Sequence, residues 1–352
     1  MQRQRQIQLY LHSPLRNILI ASAVVLSVLA CGGGSSSNGP QEQTQSKTIQ
    51  QILDDGIQQG LDGIYVYIDK GDESPISIAA GIKDRSTQQP ATPETLFKIA
   101  SISKMFIAVA TVKAVHQSSL QLDDTLAQWL PDLADRIEHA NLITVRHLLQ
   151  HRSGVPDFDS QPGFSWQNSY TDIDSTLSLA LDKPADFFPD AIYAYSNTNY
   201  LLLGKILDTA LGYSHHVFIQ DNILTPLDMQ DTYSLLAEIN IDLLSKGYWD
   251  NVERSQQDYV IPGGSMISTV RDIATFLRAL SGNEYLSTEE KQTYNNLFGG
   301  YGHSGWLPGY QSIARYESQY DAVIVQFVNK TGGGSENVAN GVYSELVAWV
   351  SN

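Results

Sequence analysis

The sequence has a single cysteine, Cys31, among its 352 residues. One cysteine cannot form an intrachain disulfide, and it cannot supply the thiolate cluster of a structural zinc site. Basic residues are also scarce: 22 lysines and arginines stand against 38 acidic residues, giving a formal net charge of −16. Nucleic-acid binders need a basic footprint, so we expect no nucleic-acid partner. Hydrophobic residues still make up 42% of the chain, which is enough for a large core and excludes wholesale disorder.

The N-terminal region lacks an apolar run long enough to cross a bilayer. The apolar stretch at residues 18–30 has 13 residues, whereas a transmembrane helix takes about 20. The first 30 residues carry three arginines and no acidic residue, which together with the short apolar stretch is typical of a secretory signal. The boundary Val28-Leu29-Ala30-Cys31 resembles the bacterial lipobox, whose cysteine is diacylated and becomes the first mature residue. The alternative is an ordinary signal peptide with a chance cysteine.

The residues after Cys31 favour the lipoprotein interpretation. A glycine- and serine-rich run, residues 32–40, predicts a flexible tether of the kind that a lipid-anchored domain needs. We therefore expect a signal peptide at 1–30, a tether at 31–47 and a folded domain at 48–352. Cleavage would deepen the net charge from −16 to −19, so lipid on Cys31 rather than charge would hold the protein at a membrane. The expected location is the bacterial cell envelope, facing the periplasm or the exterior.

Strand patterns lie near both ends of the domain, and helical patterns fill its middle. Alternating apolar residues predict strands at 63–69, 76–82, 300–304, 310–316 and 322–328. Helical spacing predicts helices at 48–60, 101–116, 144–150, 199–211, 269–279 and 336–350. This order indicates an α+β fold: an antiparallel sheet built from both chain ends, flanked by helices, with a mostly helical inserted subdomain. We expect the α/β part at about 48–106 and 255–352 and the helical part at about 107–254.

The first motif with chemical meaning is Ser101-Ile-Ser-Lys104. Lys104 is the only one of the lysines with a serine three residues before it. Positions i and i+3 share one helix face, so the lysine amine is directed at the Ser101 hydroxyl. A serine hydroxyl needs a base to become a nucleophile, and a lysine with a depressed pKa can be that base. By itself this spacing also fits an ordinary surface pair.

The second motif is Tyr195-Ser-Asn197, on a loop that opens an apolar helix. A tyrosine that shares its proton with lysine can take the serine proton and return it to a leaving group. Asn197 can hold a substrate amide. A packing role for a tyrosine-rich loop is the alternative. Tyr294-Asn-Asn296 also fits the pattern, but it lies in a polar stretch without flanking apolar residues, and we discard it.

The third motif is His303-Ser-Gly305, the only His-x-Gly in the chain. On an edge strand, the histidine can orient substrate, and Gly305 lets a substrate backbone approach closely. The next backbone N–H, that of Trp306, can serve as an oxyanion donor. A competing match, Lys330-Thr-Gly332, directly follows a strand pattern, and we interpret it as a glycine-rich turn.

Together the three motifs resemble those of the serine β-lactamase-like family of class C type. This family includes class C β-lactamases, D-alanyl-D-alanine carboxypeptidases and related esterases. Residues 92–101, 143–157 and 262–276 also resemble characteristic family segments, so the resemblance covers nearly all of 50–352. It implies that Ser101 is acylated, that Lys104 and Tyr195 move the proton, and that Asn197 and His303 contact substrate. The N–H groups of Ser101 and Trp306 would form the oxyanion hole.

Two departures from the family pattern bear on the substrate. The third motif begins with histidine instead of lysine, and a neutral histidine clamps a carboxylate weakly. Trp306 stands where small residues are usual. Both departures favour an esterase or a D-alanyl-D-alanine carboxypeptidase over an efficient β-lactamase. The alternatives are a slow-turnover penicillin-binding or sensor protein, a β-lactamase and, less favoured, a non-catalytic binding relative.

No cofactor is expected, and the expected partners are a small-molecule or peptide substrate, including peptidoglycan-derived peptides, and a membrane reached through the lipid anchor. A monomer is expected. His147 and His151 have a metal-ligand spacing, but no third ligand accompanies them, so we expect packing or capping roles. The α/β-hydrolase alternative needs Gly-x-Ser-x-Gly, and the nearest match, residues 302–306, lacks the final glycine.

Overall fold

The computed structural model describes residues 47–352. The predicted signal peptide, Cys31 and all but the last residue of the tether lie outside the described residues. The described residues fall within one compact unit. None of the helices in this part of the chain has the length and apolarity needed to cross a membrane.

The predicted helices and strands occur in the predicted order, and the structure adds further helices and strands between them that the sequence patterns do not predict. The helices are α1 (Ile49–Gln58), α2 (Ser103–His116), α3 (Leu126–Trp129), α4 (Val145–Leu149), α5 (Ile173–Ser178), α6 (Asn197–Leu211), α7 (His215–Ile219), α8 (Val270–Ser281), α9 (Thr288–Leu297) and α10 (Ser335–Val350). The strands are β1 (Gly63–Asp69), β2 (Ile76–Asp84), β3 (Gln89–Pro90), β4 (Phe97–Lys98), β5 (Tyr248–Trp249), β6 (Val252–Glu253), β7 (Ile267–Ser268), β8 (Gly302–Leu307), β9 (Tyr310–Glu317), β10 (Ala322–Val328) and β11 (Lys330–Thr331).

The main sheet has six strands in the order β3-β2-β1-β10-β9-β8, and every pairing is antiparallel. Its centre joins the two ends of the domain, because β1 pairs with β10 from Ile64 opposite Val328 to Asp69 opposite Val323. Strand β8 lies at the edge, so among residues 47–352 no strand pairs with its other side. The predicted α+β architecture, with a sheet built from both ends and flanking helices, is confirmed.

Both faces of the sheet are buried, and the alternation of side chains explains how. On β1, Ile64 and Val66 pack with α1 and α10, whereas Tyr65 points to the opposite face. That second face packs on the larger core, which includes Phe106 of α2 stacked on Phe276 of α8 with ring centroids 4.1 Å apart. Because successive side chains alternate between faces, each central strand stabilises two apolar layers at once.

Helix α2 begins later than predicted. The predicted start at Ser101 is two residues early, because residues 100–102 form a 3-10 turn and the α-helix begins at Ser103. Eleven of its 14 residues are buried, so core surrounds the helix on nearly all sides. The predicted boundary at 106/107 between the α/β and helical parts falls inside this helix, and the proposed division of the domain stays a prediction.

Candidate active site

Ser101 lies on the short 3-10 turn that joins β4 to α2. The residue before it, Ala100, has a φ of 51°, a left-handed conformation that costs a non-glycine residue energy. Strand β8 crosses close to this turn: a Cβ on Gly305 would lie 2.4 Å from the Ile99 carbonyl oxygen and 2.9 Å from the Ala100 Cβ. Only glycine fits at this crossing without a shift of the backbone. Strand β8 therefore packs directly against the nucleophile turn.

Lys104 lies one turn further along and directs its amine at Ser101. Its Nζ is 3.0 Å from Ser101 Oγ, 2.8 Å from Asn197 Oδ1 and 2.9 Å from the Gly263 carbonyl oxygen. Burial lowers the pKa of Lys104 to about 7 from its ordinary 10.5. A neutral amine has two hydrogens and one lone pair. If the hydrogens go to Asn197 and Gly263, which can only accept here, the lone pair faces the Ser101 hydroxyl.

Tyr195 approaches Ser101 from the loop before α6. Its hydroxyl donates to Ser101 Oγ at 3.0 Å, and burial raises the pKa of Tyr195 well above 10. The tyrosine is therefore a neutral phenol at neutral pH, so a resting tyrosinate is not favoured. The ring of His151 stacks on the Tyr195 ring at 4.3 Å and accepts the Ser196 N–H through Nδ1 at 3.1 Å. These contacts hold the phenol against the nucleophile.

Asn197 begins α6 and is fully engaged by protein groups. Its Oδ1 accepts from Lys104, and its Nδ2 lies 3.3 Å from both Asp157 Oδ2 and Asp159 Oδ2. Its backbone N–H donates to Asp157 Oδ1 at 2.9 Å, which caps the helix from a distant segment. The structure thus brings Asn197 to the predicted site but turns its amide donor toward the two carboxyl groups.

The two aspartates are site residues that the sequence motifs missed. Asp157 closes the segment 143–157 that carries part of the family resemblance, and Asp159 follows it two residues later. Nothing in their spacing to Ser101 indicates contact with the motifs. The signal available was an Asp-x-Asp placed directly after that segment.

His303 lies on β8 beside Tyr195, with ring centroids 6.3 Å apart. Burial, aided by Lys104, lowers the pKa of His303 to about 4, so the imidazole is neutral at neutral pH. Its Nδ1 is 2.6 Å from the Ser304 carbonyl oxygen, which can only accept, so we assign the ring proton to Nδ1. Its Nε2 is then left as a hydrogen-bond acceptor. A cationic group that binds a substrate carboxylate would instead donate.

The free edge of β8 carries backbone groups that do not pair with β9. The Tyr316 N–H donates to the Tyr301 carbonyl, so this opposed pair is of the hydrogen-bonded type. Hydrogen-bonded and non-hydrogen-bonded pairs alternate along an antiparallel ladder. Trp306 of β8 lies five residues after Tyr301 and is opposite Gln311 of β9. Trp306 is thus in a non-hydrogen-bonded pair, and its N–H points away from β9, toward the unpaired edge.

A hydrogen bond and two aromatic contacts fix the position of the Trp306 side chain. Its indole N–H donates to Glu336 Oε1 at 3.1 Å, and its ring meets those of Trp166 and Trp249 edge to face at 5.6 and 6.0 Å. Trp166 belongs to the loop before α5, so these tryptophans connect the β8 edge with the helical part of the chain. A bulky aromatic wall thus flanks one end of the edge.

The competing sequence matches lie in other surroundings. Lys330 is on β11, and its Nζ donates to the Gly60 carbonyl, with a left-handed glycine turn at 332–334 after it. Tyr294 is 2% exposed in α9 and stacks on Tyr301 at 5.6 Å. His147 takes part in the capping box of α4. Across residues 47–352, no group of three or more His, Cys, Asp or Glu side chains is placed to hold a metal ion.

Comparison with known proteins assigns the chain to a family. The model for the family described as Beta-lactamase matches residues 46–348, so the chain belongs to the beta-lactamase family. A solved D-amino acid amidase from Ochrobactrum anthropi SV3, in complex with L-phenylalanine, superposes with a TM-score of 0.76 at 26% identity, covering 86% of this chain and 98% of that one. Two curated relatives are Penicillin-binding protein 4* of Bacillus subtilis, 26% identical over 296 residues, and Esterase EstB of Burkholderia gladioli, 28% identical over 172 residues.

The curated relatives match over only part of their length. The match covers 71% of this chain and 64% of the penicillin-binding protein, and 46% of this chain and 44% of the esterase. The names of these relatives indicate different reactions, and one family fold can host several reactions.

Proposed function

We propose that this protein is a serine hydrolase that cleaves an amide or an ester through an acyl-Ser101 intermediate. One observation carries the proposal: Ser101 Oγ lies 3.0 Å from both Lys104 Nζ and Tyr195 Oη, in a buried setting that lowers the pKa of Lys104 to about 7. A nucleophile, a base poised near the operating pH and a second proton carrier are thereby assembled at one oxygen. The amidase, penicillin-binding and esterase relatives support the same class of reaction.

In the acylation step, neutral Lys104 takes the Ser101 proton while Oγ forms a bond to the substrate carbonyl carbon. The carbonyl oxygen becomes an oxyanion, which the N–H groups of Ser101 and Trp306 would stabilise. Collapse breaks the bond to the leaving group, which receives a proton from Tyr195. Lys104 then returns its proton to Tyr195, and the products are the acyl-enzyme and a neutral leaving group.

Deacylation reverses the proton route with water in place of the leaving group. Water attacks the acyl carbon and gives a proton to the phenol–amine pair. The ester bond to Ser101 Oγ then breaks, the carboxylic acid leaves, and the pair delivers that proton to Oγ. The two steps consume one water and need no other reactant. His303 Nε2 can accept a substrate N–H or O–H beside this centre.

Small esters and amides, including D-alanyl peptides, are the substrates that the site favours. A neutral His303 offers no positive charge to a lactam carboxylate, and the tryptophans in contact with Trp306 flank one end of the β8 edge. The similarity to a D-amino acid amidase supports amide cleavage next to a D-residue. Similarity to a penicillin-binding protein supports an alternative function, in which a β-lactam acylates the protein rapidly and deacylation is slow.

The experiment compares wild type with Ser101→Ala on one substrate of each class: p-nitrophenyl acetate, a D-alanyl-D-alanine peptide and a chromogenic β-lactam. We expect turnover of the ester or the peptide that Ser101→Ala abolishes, and a fluorophosphonate adduct on Ser101 by mass spectrometry. Ser178→Ala on α5 is the matched control and should keep wild-type rates. Hydrolysis that persists in Ser101→Ala would overturn the mechanism, and a burst without turnover would favour the slow penicillin-binding alternative. A folded protein that neither turns over nor labels would be a non-catalytic relative.

We also propose that Cys31 carries lipid and anchors the domain to the bacterial cell envelope through the tether. The lipobox-like Val28–Cys31 segment and the tether composition support this proposal. In the bacterial host, wild type should partition into the membrane fraction and Cys31→Ser into the soluble fraction. Equal membrane partition of both would contradict the anchor. Light scattering of the soluble domain tests the expected monomer.

A further inference from the structure

Two carboxyl groups that the proposed mechanism does not use lie directly behind Asn197. Asp157 and Asp159 are partly buried, and both direct an Oδ2 at the Asn197 side-chain amide at 3.3 Å. Their side chains also contact each other. Burial and the neighbouring Asp159 raise the pKa of Asp157 to about 7, and burial raises the pKa of Asp159. Two carboxylates in contact cannot both ionise at low cost, so one proton stays with the pair.

The carboxyl pair fixes the orientation of the Asn197 side-chain amide. With two acceptors on its nitrogen side, the amide must present its oxygen to Lys104 Nζ, 2.8 Å away. The opposite orientation would place an NH₂ group against the lysine hydrogens and its oxygen against the carboxyl pair. The observed orientation occupies one lysine hydrogen, and the Gly263 carbonyl occupies another. The lysine lone pair is then left for Ser101.

The pair also supplies the negative charge nearest the catalytic amine. The other titratable groups facing Lys104 are Tyr195, Tyr200, His151 and His303. Burial raises the pKa of both tyrosines and lowers the pKa of both histidines, so all four are neutral near pH 7. Among the groups of residues 47–352 that face Lys104, a singly charged aspartate pair therefore sets its electrostatic environment.

We propose that Asp157 and Asp159 share one proton and act as a positioning pair, which orients Asn197 toward Lys104 and holds a single negative charge behind the catalytic amine. This inference rests on the proposed serine hydrolase function. The pair touches no reacting atom and acts through Asn197 and through its charge. It sets the pH below which Lys104 is protonated and ceases to be a base.

The test uses the double variant Asp157→Asn/Asp159→Asn and the single variant Asp159→Asn. The double variant removes the charge, which disfavours protonated Lys104, so the acid limb of kcat/KM should move to lower pH by about one unit or more. Its maximal kcat/KM should fall by about tenfold or more, because the amide orientation is lost and the base is weaker. In Asp159→Asn, the remaining Asp157 loses its repulsive neighbour and ionises. One charge is kept, and the acid limb should stay at its wild-type pH.

Asp172→Asn is the matched control, because the Asp172 carboxylate also accepts a backbone N–H at the start of a helix, α5, but lies outside the site. It should leave the pH profile unchanged. An acid limb in the double variant that coincides with wild type, while Ser101-dependent hydrolysis persists, would show that the pair only caps α6. The inference would then be wrong and the hydrolase function would stand. Absence of Ser101-dependent hydrolysis in wild type would instead overturn the function itself.

Infrared spectroscopy tests the shared proton even if the double variant does not fold. At pH 7, the difference spectrum between wild type and Asp159→Asn should contain a protonated-carboxyl C=O band that shifts in D₂O. The difference spectrum with Asp157→Asn should contain the same band, because either single variant leaves one ionised carboxylate. No such band in either difference spectrum would refute the shared proton.

Discussion

Replacing Lys104 with methionine should change the pH dependence of stability in a way that reveals whether the lysine is neutral when folded. Burial lowers the pKa of Lys104 to about 7, whereas an unfolded chain restores it to about 10.5. Between these values the unfolded chain binds more protons than the folded protein, so this group makes stability rise with pH. Methionine fills the same space and has no proton to bind.

The magnitude follows from the width of the window. From pH 7 to pH 9, wild type should gain about 2 kcal/mol of unfolding free energy relative to Lys104→Met. Hydrogen bonds to Asn197 and Gly263 that the variant loses shift its stability at every pH equally, so they cancel from this difference. The assay is urea unfolding of both proteins at pH 7, 8 and 9, followed by circular dichroism.

Lys98 provides a matched control on the neighbouring strand β4. Burial also lowers the pKa of Lys98 to about 7, but its Nζ donates to the carbonyl groups of Ser255 and Gln257, away from Ser101. Lys98→Met should show the same pH-dependent difference and keep most of its hydrolytic activity, whereas Lys104→Met should lose it. If the stability difference for Lys104→Met is flat from pH 7 to 9, Lys104 is charged in the folded protein, and our assignment of it as the base is wrong.

Three further measurements test the site. Below pH 7, kcat/KM for a neutral ester should fall about tenfold per pH unit as Lys104 is protonated; a level profile from pH 7 to 5 would exclude this base. Tyr195→Phe keeps the ring stacked on His151 but removes the hydroxyl, so kcat should fall by about 10² to 10⁴ with little change in Tm; an unchanged kcat would remove the phenol from the proton route. Gly305→Ala places a Cβ 2.4 Å from the Ile99 carbonyl, so thermal unfolding should show a loss of about 1–3 kcal/mol together with reduced kcat/KM; wild-type values for both would mean that β8 moves freely over the nucleophile turn.

Much of the fold could be predicted because its signals are local. The alternation in 63–69 and 322–328 matches β1 and β10 residue for residue. The strand predicted at 300–304 is shifted, since β8 spans Gly302–Leu307. Glycines and polar residues interrupt its apolar pattern, and the two-residue turn before Tyr310, which sets its true end, depends on pairing with β9.

From the residues alone, contact within the site was predictable only where a motif has a fixed spacing, and the family resemblance added Tyr195, Asn197 and His303. Ser101 and Lys104 are three residues apart, so helical geometry alone brings them close. Asp157 and Asp159 reach the site through tertiary packing against the start of α6, and no spacing in the chain encodes that contact. The burial that lowers the lysine pKa is likewise a property of the assembled core, because an isolated Ser-x-x-Lys segment would leave its amine in water.

The joining of β1 to β10 at the centre of the sheet has a consequence for biogenesis. The ribosome must deliver nearly the whole domain before β1 can find its partner, because Ile64 pairs with Val328 near the opposite end of the chain. Such long-range pairing is intrinsically slow, because the entropy cost of closing the loop comes before the stabilising contacts form. A chain synthesised only as far as Tyr195 already contains Ser101 and Lys104. It still lacks β8, which packs over the nucleophile turn. Hydrolytic competence therefore arrives only with the last strands, and a chain released early would carry the chemical groups without the catalyst.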